Sequence, residues 1–195
     1  NNRLIYLNLE ASEDFWDQHW VTEDVSKAVT ATPNSWVALT TRKFLPPGAK
    51  VIDGGCGLAY HVYALQQNGC RTVGLDFAPK TVELVQKAAP EIEIQLGDVR
   101  KIPFEEKFFD GYWSLGVIEH FWQGYDPIAI EMQRVLRSGW YLFLSFPFMS
   151  SLRKWKVNLG RYPLWQVNSS AVDKFCQFAL CPIKVERTFS EIGFN

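Results

Sequence analysis

From Val51 onward, short apolar runs rich in β-formers alternate with stretches whose apolar residues recur at the helical period. That alternation leaves few folds open, because repeated strand–helix–strand units close a parallel sheet covered by helices on both faces. The expected class is α/β, with a doubly wound, mostly parallel sheet. VID (51–53) reads as the first strand, and LAYHVYALQQNG (58–69) as a helix closed by Gly69 just past its C-terminus. TVGLDF (72–77) is the second strand. Pro79 opens the next helix at its first turn, where a missing N–H costs nothing, and Pro90 ends it. IEIQLGD (92–98) makes the third strand, and the aromatic FFDGYWSLGV (108–117) the fourth, expected near the centre of the sheet.

Asp126 and Pro127 read as the N-cap and first-turn proline of a helix with Ile128, Met132, Val135 and Leu136 on one face, stopped by Ser138 and Gly139. WYLFLSF (140–146) is nearly all apolar, as expected of a strand covered on both faces. A last helix is expected from Ser170, with Val172, Phe175 and Cys176 facing inward, and IKVERTF (183–189) as a final strand. A length of 195 residues suits one domain with a single core. Within it, residues 1–45 read as a helical N-terminal cap carrying FWDQHW (15–20) and an amphipathic piece from Trp36 to Phe44. Residues 46–147 form the ligand-binding core, 148–168 an aromatic and basic insertion able to act as a substrate lid, and 169–195 the last helix and strand.

Lysine and arginine total 20 against 21 for aspartate and glutamate, so no global basic field draws the chain to nucleic acid or to an anionic membrane, and a small-molecule partner is expected. Cys56, Cys70, Cys176 and Cys181 lack any C-x-x-C spacing and no charged-then-apolar leader precedes them, which points to a reduced, cytoplasmic setting. The longest apolar run, Trp140 to Phe148, is broken by Ser145 and Pro147 and is too short to span a bilayer. Three scattered histidines offer no metal site.

The residues closest to chemistry are VIDGGCGLA (51–59). A dinucleotide fingerprint needs G-x-G-x-x-G, and counting from Gly55 and Gly57 puts Tyr60 where the third glycine belongs. Asp53 would also set a negative charge near a pyrophosphate, which weakens an oxidoreductase reading based on NAD. A ligand bearing an amine or hydroxyls suits that carboxylate better, while a plain glycine turn from strand to helix is the bland alternative. Asp76 ends the second strand about twenty residues further on, the spacing at which an acidic side chain takes ribose hydroxyls, or else caps the next helix. Asp98 ends the third strand beside Val99 and Ile102, where an acid and small apolar groups can hold an adenine, although aspartate there is more often a turn residue.

In this order the segments VIDGGCG, GLDFAPKTVELVQKA, GDVRKIPFEEKFFDGYWSLGVIEHF and EMQRVLRSGWYLFLSFP resemble the motifs of the class I S-adenosylmethionine-dependent methyltransferases, from about Val51 to Pro147. The resemblance implies a Rossmann-like fold and S-adenosyl-L-methionine as cofactor. It implies that Asp53, Gly55, Cys56 and Gly57 face the methionine part, Asp76 and Phe77 the ribose and adenine, and Asp98 and Val99 the adenine. Ser114, Leu115 and Gly116 would line the floor beside the sulfonium.

Three departures stand out. Ala59 replaces the family's third glycine, Arg137 to Trp140 replace lysine-proline-glycine-glycine, and the sheet is expected to lack a seventh strand. A non-catalytic cofactor-binding module is the alternative those departures allow. His120, in IEHF, resembles the histidine that small-molecule members place at the acceptor side, so it is the expected general base for a sugar-linked or other hydroxylated acceptor, a surface or helix-capping histidine being the bland alternative, with Glu119 as an orienting or a salt-bridge residue. No D/N-P-P-Y/F follows the fourth strand, which argues against the amino-methylating branch that acts on nucleic acid. His19 would face the site if FWDQHW formed the lid, and Arg153, Lys154, Lys156 and Arg161 could hold a phosphate or sugar or could simply be a solvated basic face.

Overall fold

The computed structural model describes residues 4–7, 11–21, 34–162, 165 and 170–194. Its core is a five-stranded parallel sheet built from β2 (Lys50–Gly54), β3 (Arg71–Asp76), β4 (Ile94–Leu96), β5 (Phe109–Leu115) and β6 (Leu136–Ser145), in the spatial order β4-β3-β2-β5-β6. The order reverses between β2 and β5, and in open α/β sheets such a reversal creates the crevice where ligands bind. β2 is the middle strand and β5 lies beside it, buried along almost its whole length.

The helices between the strands follow from local signals. α3 (Tyr60–Gln67) ends at Gly69 with φ +84, the left-handed residue expected past a C-terminus. α4 (Pro79–Ala88) and α5 (Asp126–Val135) each open with proline in the first turn. Asp126 is the first helical residue of α5, one position inside the cap expected of it, and Ile128, Met132 and Val135 form its buried stripe. At the N-terminal end, α1 (Glu13–Val21) contacts α4, and α2 (Trp36–Phe44) contacts α3.

Three expectations are corrected. Ser138 and Gly139 do not stop α5, because β6 begins directly at Leu136. The pairing with β5 advances from Phe109↔Leu136 to Gly111↔Tyr141, a bulge in which Gly139 takes φ +80. β6 is also not covered on both faces: it edges the described sheet, and Trp140 and Tyr141 stand exposed. Finally, the C-terminal helix and strand exchange places. Phe175–Ala179 is a strand, β7, and Pro182–Ile192 is a helix, α7. β7 pairs antiparallel with β1 (Leu4–Leu7), giving a second, two-stranded sheet that joins the core through Ile5, Phe175 and Phe178. Among the described residues no helix is long and apolar enough to cross a membrane.

Candidate active site

The loop after β2 turns back on itself through Gly55 at φ +80, Gly57 at φ +52 and Ala59 at φ +59. Alanine in that region costs on the order of 1–2 kcal/mol relative to the right-handed form, so the departure at position 59 keeps the turn at the expense of strain. Backbone donors stitch the loop to the end of β3. Gly55 N and Cys56 N donate to Leu75 O at 2.7 and 3.2 Å, and Gly57 N donates to Asp76 Oδ2 at 2.8 Å. A Cβ at Gly55 would stand 2.5 Å from Val117 Cγ2 and one at Gly57 2.8 Å from Trp20, so only glycine lets the loop backbone lie this close to both.

These turns border a cavity of about 930 Å³ at the carboxyl ends of β2, β3, β4 and β5. Gly55 and Gly57 enter its wall from the loop, Asp76 and Phe77 from the end of β3, and Asp98 and Val99 from beyond β4. Leu115 and Gly116 come from the end of β5, and His120 from the short 3-10 turn Ile118–His120 that follows. Asp53, Cys56 and Ser114 are not in that wall. Asp53 and Ser114 lie buried behind it, and Cys56 Sγ packs over Gly74 of β3.

The charges around the cavity differ in how they are held. Burial raises the Asp76 carboxyl, and hydrogen bonds from the backbone N–H groups of Ala78 and Gly57 pull it part of the way back. Burial would also raise Asp98, but the Arg100 guanidinium, donating from Nε and Nη2 at 2.6–3.0 Å, holds it below the usual carboxylate range. Burial, with the nearby Asp76 charge, pushes Asp53 up to about 7, and its Oδ2 has no partner among the described residues. Glu119, 2% exposed, is likewise pushed up to about 7 by burial, with no partner for Oε2 among the described residues. His120 is lowered by burial, while hydrogen bonding to the backbone carbonyl of Cys176, 2.7 Å from Nδ1, and to the backbone of Gly116 pulls it part of the way back. A carbonyl accepts, so Nδ1 carries the proton and Nε2 keeps its lone pair.

Residues 52–144 match the model of a methyltransferase domain. The chain carries a class I S-adenosylmethionine-dependent methyltransferase domain. A probable S-adenosylmethionine-dependent methyltransferase of Mycolicibacterium smegmatis is 31% identical over 100 residues, 51% of this chain and 38% of the relative. A malonyl-[acyl-carrier protein] O-methyltransferase of Serratia marcescens is 28% identical over 109 residues, 55% of this chain and 42% of the relative. The chain therefore spans about two-fifths of the length of these curated relatives. Among solved structures, a putative S-adenosyl-L-methionine-dependent methyltransferase of Methanococcus maripaludis superposes with a TM-score of 0.59 at 21% identity, covering 95% of this chain and 84% of that one, which establishes the shared fold.

The residues of the methyltransferase domain fit its cofactor. Acids stand at the end of β3 and just past β4, the glycine backbone is bare between them, and Asp53 Oδ2 is an orphaned acceptor behind the loop. Other wall residues escaped the sequence reading. Trp16 and Trp20 of α1 line the cavity, so α1 does lie over the site, but with its tryptophans there and not His19, whose ring packs against Phe15, Trp16 and Trp20. Arg100, Phe121, Trp122 and Phe175 also enter the wall. The motif after the fourth strand could have suggested Phe121 and Trp122, which directly follow His120, whereas Phe175 arrives by a pairing distant in sequence. The 148–168 insertion supplies no described residue to the wall. Among the described residues, no group of three or more His, Cys, Asp or Glu side chains could hold a metal ion.

Proposed function

We propose that the protein methylates a hydroxyl group of a small molecule, with His120 as general base and S-adenosyl-L-methionine as methyl donor. The observation that carries this reading is the orientation of His120: Nδ1 is occupied by the Cys176 carbonyl, and the same side chain lines the cavity beside Gly116. When bound, the cofactor supplies an electrophilic methyl group. Asp76 accepts from its ribose hydroxyls with the lone pairs that Gly57 and Ala78 leave free, Asp98 and Val99 meet its adenine, and the glycine loop meets its methionyl part.

His120 Nε2 takes the proton of the acceptor hydroxyl as the oxygen becomes the nucleophile. The ring passes that proton to no carboxylate, since Nδ1 faces a carbonyl. Trp16, Phe121, Trp122 and Phe175 give the acceptor end aromatic walls, which exclude water and bind an apolar or planar body next to the reacting hydroxyl. The enclosing walls suit a small molecule better than a nucleic-acid strand.

Methyl transfer is tested with labelled cofactor against hydroxylated, amine and sugar-linked acceptors. Turnover on hydroxyl acceptors that fails in His120→Ala supports the reading. Cofactor binding without turnover on any acceptor supports a non-catalytic binding module in its place.

A further inference from the structure

α6 (Ser151–Asn158) is turned inside out for a surface helix. Its inward side carries Arg153, which donates to the Phe148 carbonyl and lies over the Tyr6 ring, and Val157, which packs in the small cluster of Met149, Ala179 and Tyr162. Leu152, Trp155 and Leu159, spaced three and four residues apart, fall on the opposite face and are 60%, 56% and 52% exposed. Ordinary surface helices hide such a stripe and present their charges. Here three large apolar side chains point outward together, and Phe148, 54% exposed, precedes them in the chain.

The charge of this region is as one-sided as its apolar face. Residues 148–162 contain Arg153, Lys154, Lys156 and Arg161 and no acidic residue, in a chain whose totals nearly balance. Lys156 sits in the last turn of α6, and Arg161 N donates to the Lys156 carbonyl at 3.2 Å, so the backbone brings both residues to the C-terminal end of the helix that Leu159 caps.

From this we propose that α6 docks on an anionic lipid surface, with Leu152, Trp155 and Leu159 entering the headgroup boundary and Lys156 and Arg161 meeting lipid phosphates. A nucleic acid would use the cations but has no place for two leucines. A protein partner needs on the order of 800 Å² from each side, more than the convex face of a helix of about two turns offers. A bilayer accepts a short convex apolar ridge, and the neighbouring cations add attraction that depends on anionic lipid.

The test is co-sedimentation of the protein with vesicles of phosphatidylcholine alone and of equal parts phosphatidylcholine and phosphatidylglycerol. The wild type is expected to pellet with the anionic vesicles, less so at high salt, and to stay in solution with the neutral ones. Because Leu152, Leu159 and Arg161 are exposed and Lys156 only half-buried, L152S/L159S and K156E/R161E should keep the wild-type circular dichroism, and each should lower the partition coefficient on the order of tenfold or more. Three results would overturn the proposal: wild type left in solution with both vesicles, folded variants that pellet as well as wild type, or a wild-type dimer that L152S/L159S dissociates while no vesicle binds.

Discussion

His120 is the residue on which the proposed chemistry turns. General-base catalysis contributes about a hundredfold to ten-thousandfold, so His120→Ala should lose that much turnover while cofactor affinity stays within about threefold. The base must be neutral to act, and burial lowers its pKa below the ordinary 6.5. Wild-type turnover should therefore rise with pH only on the acid side of that value and run flat through neutrality, and His120→Gln should lose that acid limb. Asp76 carries two duties. Its carboxylate accepts from Gly57 N at 2.8 Å and Ala78 N at 3.0 Å, which ties the glycine loop to β3 and serves an N-terminal donor of α4. Asp76→Ala should accordingly weaken cofactor binding by about 2–3 kcal/mol and also cost roughly 1–3 kcal/mol of folding stability, read by titration calorimetry and denaturant unfolding. The sequence alone pointed to ribose recognition or a helix cap as alternatives, and the geometry lets one side chain do both. Glu119 provides a pH signature. Its folded pKa is raised from 4.5 to about 7, so its contribution to stability is complete below pH 4.5 and fades as pH rises through 7. Glu119→Gln should remove that decline, gaining about 1–3 kcal/mol on wild type between pH 5 and pH 8 in urea unfolding.

At the scale of elements, α1 is anchored by one buried carboxylate. Asp17, 2% exposed, accepts from Thr81 N at 2.9 Å and Thr81 Oγ1 at 3.1 Å. Those donors lie in the first turn of α4, whose cap residue Ala78 offers no side-chain acceptor, so Asp17 fills the place of an N-cap from another helix and also meets the positive end of the dipole. Asp17→Ala should cost about 2 kcal/mol in stability and, by loosening Trp16 and Trp20 over the cavity, should weaken cofactor binding in titration calorimetry. How far elements could be read from the sequence follows from the range of their contacts. β2, α3, β3 and α4 carry their own signals in glycine, proline and apolar period, and they form as expected. The C-terminal pair does not. In 183–189 the apolar residues can be counted by twos, but Val185 and Phe189 are four apart and form the buried face of α7, while Ile183 is 74% exposed; Pro182 is the first-turn signal already seen at Pro79. Phe175–Ala179 becomes a strand because residues 4–7 lie alongside it, and no local pattern announces so distant a pairing.

Across the whole molecule, the sheet order brings the ends of β2 through β5 to one crevice, and the sequence motifs predicted that crevice because each of them ends a strand. What they could not give is the roof: α1 and β7 reach the site through tertiary contacts with no repeating spacing, and they bring Trp16, Trp20 and Phe175 to the cavity wall. The same separation explains the charge distribution, in which acids and a histidine gather near the crevice and a cationic, apolar ridge stands on α6. The central claim is that this crevice holds S-adenosyl-L-methionine. Isothermal titration of the folded protein with the cofactor tests it most directly: saturable binding at one site per chain, weakened on the order of thirtyfold or more in Asp76→Ala, is the predicted result. A protein that is folded by circular dichroism yet shows no binding at millimolar cofactor would contradict it.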